Sequence, residues 1–198
     1  FSVFNMTNEQ IHLSLYTLLR LYEVPASVNC VKISWDGKYV VCGASDGIIR
    51  VYSLENPTPS EPNFTLKGHT AGINDVVISP IDSDIVASCS DDLSICLWSL
   101  SKRKCIRVIH KHTYHITSLQ FTTRGNILIS GSADETIIIW DCTTGKALKT
   151  LAAHADPIML VALSPDNSII ASASYDGLMR LFDTELGQCL KTLTFNST

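Results

Sequence analysis

An aspartate followed six residues later by an aromatic side chain recurs four times along this chain: Asp46 with Tyr52, Asp92 with Trp98, Asp134 with Trp140 and Asp176 with Phe182. The aspartates are separated by steps of 46, 42 and 42 residues. A second series, Gly68-His69, Lys111-His112 and Ala153-His154, repeats with histidine steps of 43 and 42. No other feature restricts the fold as strongly. A fixed period makes each repeat one supersecondary unit that must bury its faces against its neighbours.

Between these marks the residues read as short strands rich in β-branched and aromatic side chains, which a pleated, half-buried surface favours. Repeat three shows the unit best, with strands expected over 116–121, 127–131, 137–141 and 147–151. Thr143, Thr144 and Gly145 supply turn chemistry between the last two. There is no amphipathic helical pattern. One four-stranded sheet cannot bury both its faces, whereas sheets stacked around an axis bury them against each other.

Period and strand pattern together resemble the WD-repeat β-propellers, whose blades run to about 40–45 residues. An all-β propeller is therefore expected, with an N-terminal extension over 1–15 and a partial propeller over 16–198. Its repeats fall at about 22–67, 68–110, 111–152 and 153–193. Residues 16–21 read as an outer strand ahead of a first blade. Four complete blades follow, so this strand is an orphan, and an unpaired strand edge is an aggregation hazard. The expectation is a longer ring with further blades, and the resemblance implies seven. The start at Phe1 rather than Met agrees with a piece of a longer gene product. Repeat one departs from the pattern, with Val24 in the histidine place, Tyr52 in the tryptophan place, and a longer connection over 54–63 carrying Pro57, Pro59 and Pro62. That loop suits partner contact.

Hydrophobic residues make up 45% and charged residues 17% of the chain, enough for a core and too little charge for disorder. A formal net charge of -4 speaks against a general electrostatic grip on nucleic acid. The seven cysteines (Cys30, Cys42, Cys89, Cys96, Cys105, Cys142 and Cys189) show no two-residue spacing of a zinc or redox motif. They read as small hydrophobes in a reducing compartment, cytosol or nucleus. Glycosylation-type triplets at Asn5, Asn63 and Asn196 are short enough to arise by chance. No apolar run reaches the ~18 residues of a membrane helix, and no signal-peptide pattern opens the chain.

His, Ser and Asp recur together as His69, Ser88, Asp92; His112, Ser130, Asp134; and His154, Ser172, Asp176. The set has the composition of a nucleophilic triad, but an active site needs one such set and not three at a fixed period. Together with Trp98 and Trp140 they are expected to form a structural network inside each blade. Phe182 cannot donate the indole hydrogen bond, so blade four should be less well tied. Lys102, Arg103, Lys104, Arg107 and Lys111 form a basic cluster that suits either an acidic partner, such as a nucleosome, or an exposed edge strand guarded by its charges. His110, His112 and His115 lack a carboxylate or cysteine to complete a metal set. No cofactor, metal site or small-molecule substrate is expected. Gly43, Gly131 and Gly177 are expected at close blade packing and turns.

From Ala153 the chain reads AHADPIMLVALSPDNSIIASASYDGLMRLFDTELGQCLKTL, and from Ser130 it reads SGSADETIIIWD. Over about residues 16–193 the sequence resembles the small WD-repeat subunit of COMPASS and MLL/SET histone lysine methyltransferase complexes. The tract 172–177, with Tyr175 before the aspartate, is the most telling part. The resemblance implies a nuclear, non-catalytic scaffold that organises a SET-domain enzyme and a second propeller protein. In animal members a central pocket grips an arginine between two aromatic rings. Carried over by position, that face falls on Asn74, Asp91, Thr117, Ala133, Met159 and Tyr175. The two clamping rings fall on Thr117 and Ala133, which have none, and Asn74 and Met159 replace small serines. The arginine grip is therefore not expected here, and a fungal branch of the family fits better. The alternative is an adaptor of another assembly: a ubiquitin ligase, the spliceosome or ribosome assembly.

Overall fold

The computed structural model describes residues 2–4, 18–55 and 61–194. Every element among them is a strand. β1 (Ser2–Phe4) pairs antiparallel with β2 (Leu18–Leu21). The strand expected over 16–21 is thus paired with the chain's own beginning and with no blade; residues 16 and 17 lie outside the described residues.

Four antiparallel four-stranded sheets follow, each a simple meander. The first comprises β3 (Val28–Ile33), β4 (Tyr39–Ala44), β5 (Ile48–Ser53) and β6 (Phe64–Lys67). The second comprises β7 (Ile73–Ile78), β8 (Ile85–Ser90), β9 (Ser94–Ser99) and β10 (Lys104–His110). The third comprises β11 (Ile116–Phe121), β12 (Ile127–Ser132), β13 (Thr136–Asp141) and β14 (Ala147–Ala152). The fourth comprises β15 (Ile158–Leu163), β16 (Ile169–Ser174), β17 (Leu178–Asp183) and β18 (Cys189–Thr194). Meandering sheets at the sequence period are the blades expected of a propeller.

The core lies between blades. One apolar cluster joins Val41, Ile49 and Leu66 of the first blade to Ile73, Val86 and Trp98 of the second. A second joins blades two and three through Ile95, Leu97, Leu119 and Trp140. A third joins blades three and four through Ile129, Ile139, Ile158 and Val161. Blades two and four each press an isoleucine at the start of the inner strand, Ile73 and Ile158, against a glycine of the blade before. At Gly43 a Cβ would stand 2.5 Å from Ile73 Cγ2, and at Gly131 it would stand 2.8 Å from Val161 Cγ1 and 2.9 Å from Ile158 Cγ2. These glycines are close-packing sites, whereas Gly177 lies in a turn at φ +77°.

The inner strands carry a second tie. Asn29 Nδ2 donates to Ile73 O at 2.8 Å, Asn74 Nδ2 to Ile116 O at 2.9 Å, and Thr117 Oγ1 to Ile158 O at 2.7 Å. Met159 holds the same place in blade four and has no such donor. Met159, Leu160 and Leu190 of that blade are exposed. Among the described residues no core cluster joins blade four to blade one.

Candidate functional site

The His/Ser/Asp sets assemble inside blades two, three and four. In blade three His112 Nδ1–H donates to Asp134 Oδ2 at 2.7 Å, and Nε2 lies 2.7 Å from Ser130 Oγ. Trp140 Nε1–H donates to the same hydroxyl at 2.8 Å. Blade two repeats this geometry, with His69 at 2.8 Å from Asp92 Oδ2 and 2.7 Å from Ser88 Oγ, and Trp98 at 2.8 Å from Ser88. In blade four His154 reaches Asp176 at 2.9 Å and Ser172 at 2.7 Å. The indole bond is missing there because Phe182 stands in the tryptophan place. All three imidazoles are fully buried.

Two members of the network escape a reading based on His, Ser, Asp and Trp alone. Ser94 Oγ donates to Asp92 Oδ1 at 2.5 Å, and Thr136 Oγ1 donates to Asp134 Oδ1 at 2.6 Å. The hydroxyl two residues after the aspartate is the signal; Leu178 lacks it in blade four. Burial alone would raise the Asp92 carboxyl. Hydrogen bonds from Ser94, the Thr70 amide and His69 outweigh it and hold the group at about 2. Asp134 and Asp176 are lowered in the same way against the same burial effect, Asp134 chiefly by His112 and Thr136 and Asp176 chiefly by His154.

Blade one solves the same problem with different residues. Val24 provides no imidazole, and Cys42 stands where the other blades place serine. Arg50 is buried and forks onto Asp46 instead, with Nη1 to Oδ1 at 3.1 Å and Nη2 to Oδ2 at 2.7 Å. Tyr22 and Tyr52 pack with ring centroids 4.3 Å apart and planes tilted by 42°. The aspartate was legible as a repeat mark, but its arginine partner was not, because no other blade pairs these two positions.

Strand register places Asn74, Asp91, Thr117, Ala133, Met159 and Tyr175 at one end of the propeller, where inner strands begin and second strands finish. Asn74 Nδ2 donates to Asp91 Oδ1 at 2.7 Å, and His115 Nδ1 lies 3.3 Å from that oxygen. The Thr117 hydroxyl points to the carbonyls of Gly131 and Ile158, at 3.1 and 2.7 Å. Ala133 is half-buried, while Met159 and Tyr175 are exposed. Three of the six side chains are thus spent on holding blades two, three and four together, and only Tyr175 offers a ring.

The basic cluster is divided. Arg107 Nη1 donates to Thr144 O and Nη2 to Thr143 O, each at 2.9 Å, which clamps blade two to the last turn of blade three. Arg103 lies over the Phe64 ring of blade one, 4.9 Å from its centroid. Lys102, Lys104 and Lys111 remain exposed without an ion-pair partner within 4 Å among the described residues. The described residues hold no cluster of three or more metal-ligating groups. Burial raises the thiols of Cys30, Cys96 and Cys142 to about 12 and lifts that of Cys89 well above its ordinary value, so these cysteines act as small apolar groups. No described helix is long and apolar enough to cross a membrane. Residues 56–60 of the proline-rich connection lie outside the described residues.

The family description "WD domain, G-beta repeat" matches residues 17–53, 60–99, 103–141 and 145–183. Several curated proteins are similar over part of the chain. The nuclear distribution protein nudF of Aspergillus flavus is 36% identical over 105 residues, covering 52% of this chain and 22% of the relative. The Polycomb protein EED of Chaetomium thermophilum is 34% identical over 101 residues, covering 48% and 17% respectively. Protein HIRA of Dictyostelium discoideum is 38% identical over 84 residues, covering 38% and 8%. The matched segment spans about a fifth or less of the length of these relatives.

Proposed function

This chain belongs to the WD domain, G-beta repeat family, and on that premise we propose that it is a non-catalytic scaffold subunit of a COMPASS-like histone lysine methyltransferase complex. It would organise a SET-domain enzyme and a second propeller protein in the nucleus. The observation that carries the non-catalytic reading is the burial of every His/Ser/Asp set. A nucleophile must reach its substrate. Ser88, Ser130 and Ser172 are buried, and the first two also receive an indole N–H. Rigid blades with loops at both ends suit the holding of other proteins.

The choice of complex rests on the tract around Tyr175. A relative named as a Polycomb protein agrees with a chromatin role. Lys102, Lys104 and Lys111 are the cations of the basic cluster exposed to meet a nucleosome; Arg103 and Arg107 already serve the blades. The second reading, an adaptor of another assembly, is favoured by the relatives named as nuclear distribution proteins. Affinity purification of the tagged chain, with identification of the co-purifying proteins, tests the proposal. A SET-domain methyltransferase and a second propeller protein are the expected partners. Ubiquitin-ligase, spliceosomal or ribosome-assembly subunits in their place would overturn it.

A further inference from the structure

On the rim of the propeller, the outer strand of each of the first three blades meets the last turn of the blade that follows. Strand register makes Phe64, Arg107 and Lys149 equivalent at these junctions: they stand opposite Val51, Leu97 and Ile139. Two of the junctions hold a guanidinium. Between blades one and two, Arg103 on the facing turn lies over the Phe64 ring, 4.9 Å from its centroid. Between blades two and three, Arg107 crosses the gap and forks onto Thr144 O and Thr143 O, each at 2.9 Å.

Between blades three and four neither device exists. Lys149 takes the place of Phe64 and Arg107, and Gly187 takes the place of Arg103 in the turn. An ammonium lacks the planar fork of a guanidinium, and Lys149 makes no hydrogen bond or ion pair among the described residues. Glu185 O and Leu186 O are the counterparts of Thr143 O and Thr144 O, and they accept no hydrogen bond among the described residues. Thr184 stands where Leu100 and Cys142 pack into the apolar clusters between blades. Its Oγ1 is buried without a hydrogen-bond partner, a state that a native fold tolerates only rarely.

The junction is left as a groove of about 480 Å³, lined by Lys149 and Leu148 on one side and Thr184 and Glu185 on the other. Leu148 is exposed and offers an apolar wall. The charged lining residues are Asp166, Asp183 and Glu185 against Lys149. Three carboxylates and one ammonium leave a balance of two negative charges. The hydroxyls of Ser164 and Ser168 hold the Asp166 carboxyl down to about 2, so it is ionised at neutral pH. Glu185 is exposed and makes no ion pair among the described residues. Open carbonyls, surplus carboxylate and an apolar wall match the two halves of an arginine side chain, its planar cation and its aliphatic stem.

We infer that this groove takes an arginine side chain from a partner protein, with the guanidinium on Glu185 O, Leu186 O and the Glu185 carboxylate and the stem along Leu148. The occupant is the same chemical group that the chain itself supplies at the two sister junctions. The site is an anchor on the rim, apart from the Asn74–Tyr175 end. The inference takes from the proposed function only that the chain binds proteins.

The test is an NMR titration of the ¹⁵N-labelled full chain with capped glycine-rich pentapeptides whose central residue is arginine or its neutral isostere citrulline. The arginine peptide is expected to shift the amides of Leu148, Thr184, Glu185 and Gly187, with about millimolar affinity, and to bind about ten-fold tighter than the citrulline peptide. Lys149→Arg should rebuild the clamp that Arg107 makes one junction earlier, and so weaken the peptide by about ten-fold or more without lowering the melting temperature. Glu185→Lys should weaken it to a similar extent, and because that side chain is exposed an unchanged melt separates lost binding from lost folding. Equal affinity for the two peptides, undiminished binding by Lys149→Arg, or shifts confined to the Tyr175 end would overturn the inference. None of these outcomes alters which subunits co-purify with the chain, so the scaffold reading fails or stands on its own test.

Discussion

Arg50 and Asp46 form a two-pronged ion pair across the first blade, at 3.1 and 2.7 Å, with the guanidinium buried and the carboxylate at the turn. The pair occupies the place that histidine and aspartate hold in the other three blades. Lysine keeps the charge but not the planar fork. Arg50→Lys is therefore expected to cost about 1 kcal/mol, and Arg50→Ala about 2–3 kcal/mol because it strips a partner from a partly buried carboxylate. Urea unfolding of the two variants reads both values; an Arg50→Ala midpoint equal to that of the parent would contradict this role.

The blade network makes a graded prediction. Ser130 Oγ serves both His112 and Trp140, whereas Ser172 Oγ serves His154 without an indole. Ser130→Ala should cost ~1–3 kcal/mol by leaving two buried groups unpaired, and Ser172→Ala should cost less. The order of the two unfolding midpoints checks it, and a Ser172→Ala variant hit harder than Ser130→Ala would be inconsistent with the geometry.

Much of this network is legible in the sequence, because a fixed period aligns residues that must do the same job. His112, Ser130, Asp134 and Trp140 announce themselves by spacing alone. The strands of repeat three also fall within a residue of those expected, since its first three strands begin with a β-branched residue and are followed by turns. Ties that differ from blade to blade carry no such mark. Arg50 pairs with Asp46 in the one described blade where Val24 stands in the histidine place. The use of Arg107 on the Thr143 and Thr144 carbonyls depends on how close blade three sits, which no local pattern records. The basic cluster read from sequence as one surface is in fact three exposed lysines beside two arginines that brace the blades.

Stability should fall steeply in acid. Asp92 sits at about 2 in the fold against an ordinary 3.8, and Asp134 and Asp176 are lowered in the same direction. A lowered folded value means a contribution fully present above about pH 4 and lost as the pH falls toward 2. Asp75 works the other way, since burial raises its carboxyl despite the amide bond from Leu119; its ionisation costs stability as the pH rises and adds nothing to the acid loss. Thermal melts between pH 2 and 5 should show the decline, and Asp92→Asn should flatten it. A parent chain with constant Tm across that range would refute this assignment.

Arginine-containing peptides should bind the Tyr175 end weakly or not at all. The Thr117 hydroxyl is taken up by the Gly131 and Ile158 carbonyls, and Ala133 has no ring, so the ~1–2 kcal/mol of a desolvated stack on π faces is absent. Isothermal titration with an arginine-bearing histone-tail peptide measures this directly. Micromolar or tighter affinity would show that the face grips arginine by other means.

The most direct measurement of the scaffold account is co-sedimentation of the tagged chain from nuclear extract, followed by chemical cross-linking and identification of the linked peptides. The account predicts that the chain migrates in a large assembly with a SET-domain methyltransferase and a second propeller protein, with cross-links from Lys102 or Lys104 to those subunits or to histones. Migration with the subunits of a ubiquitin ligase, the spliceosome or a ribosome-assembly complex, and none of the methyltransferase, would contradict it.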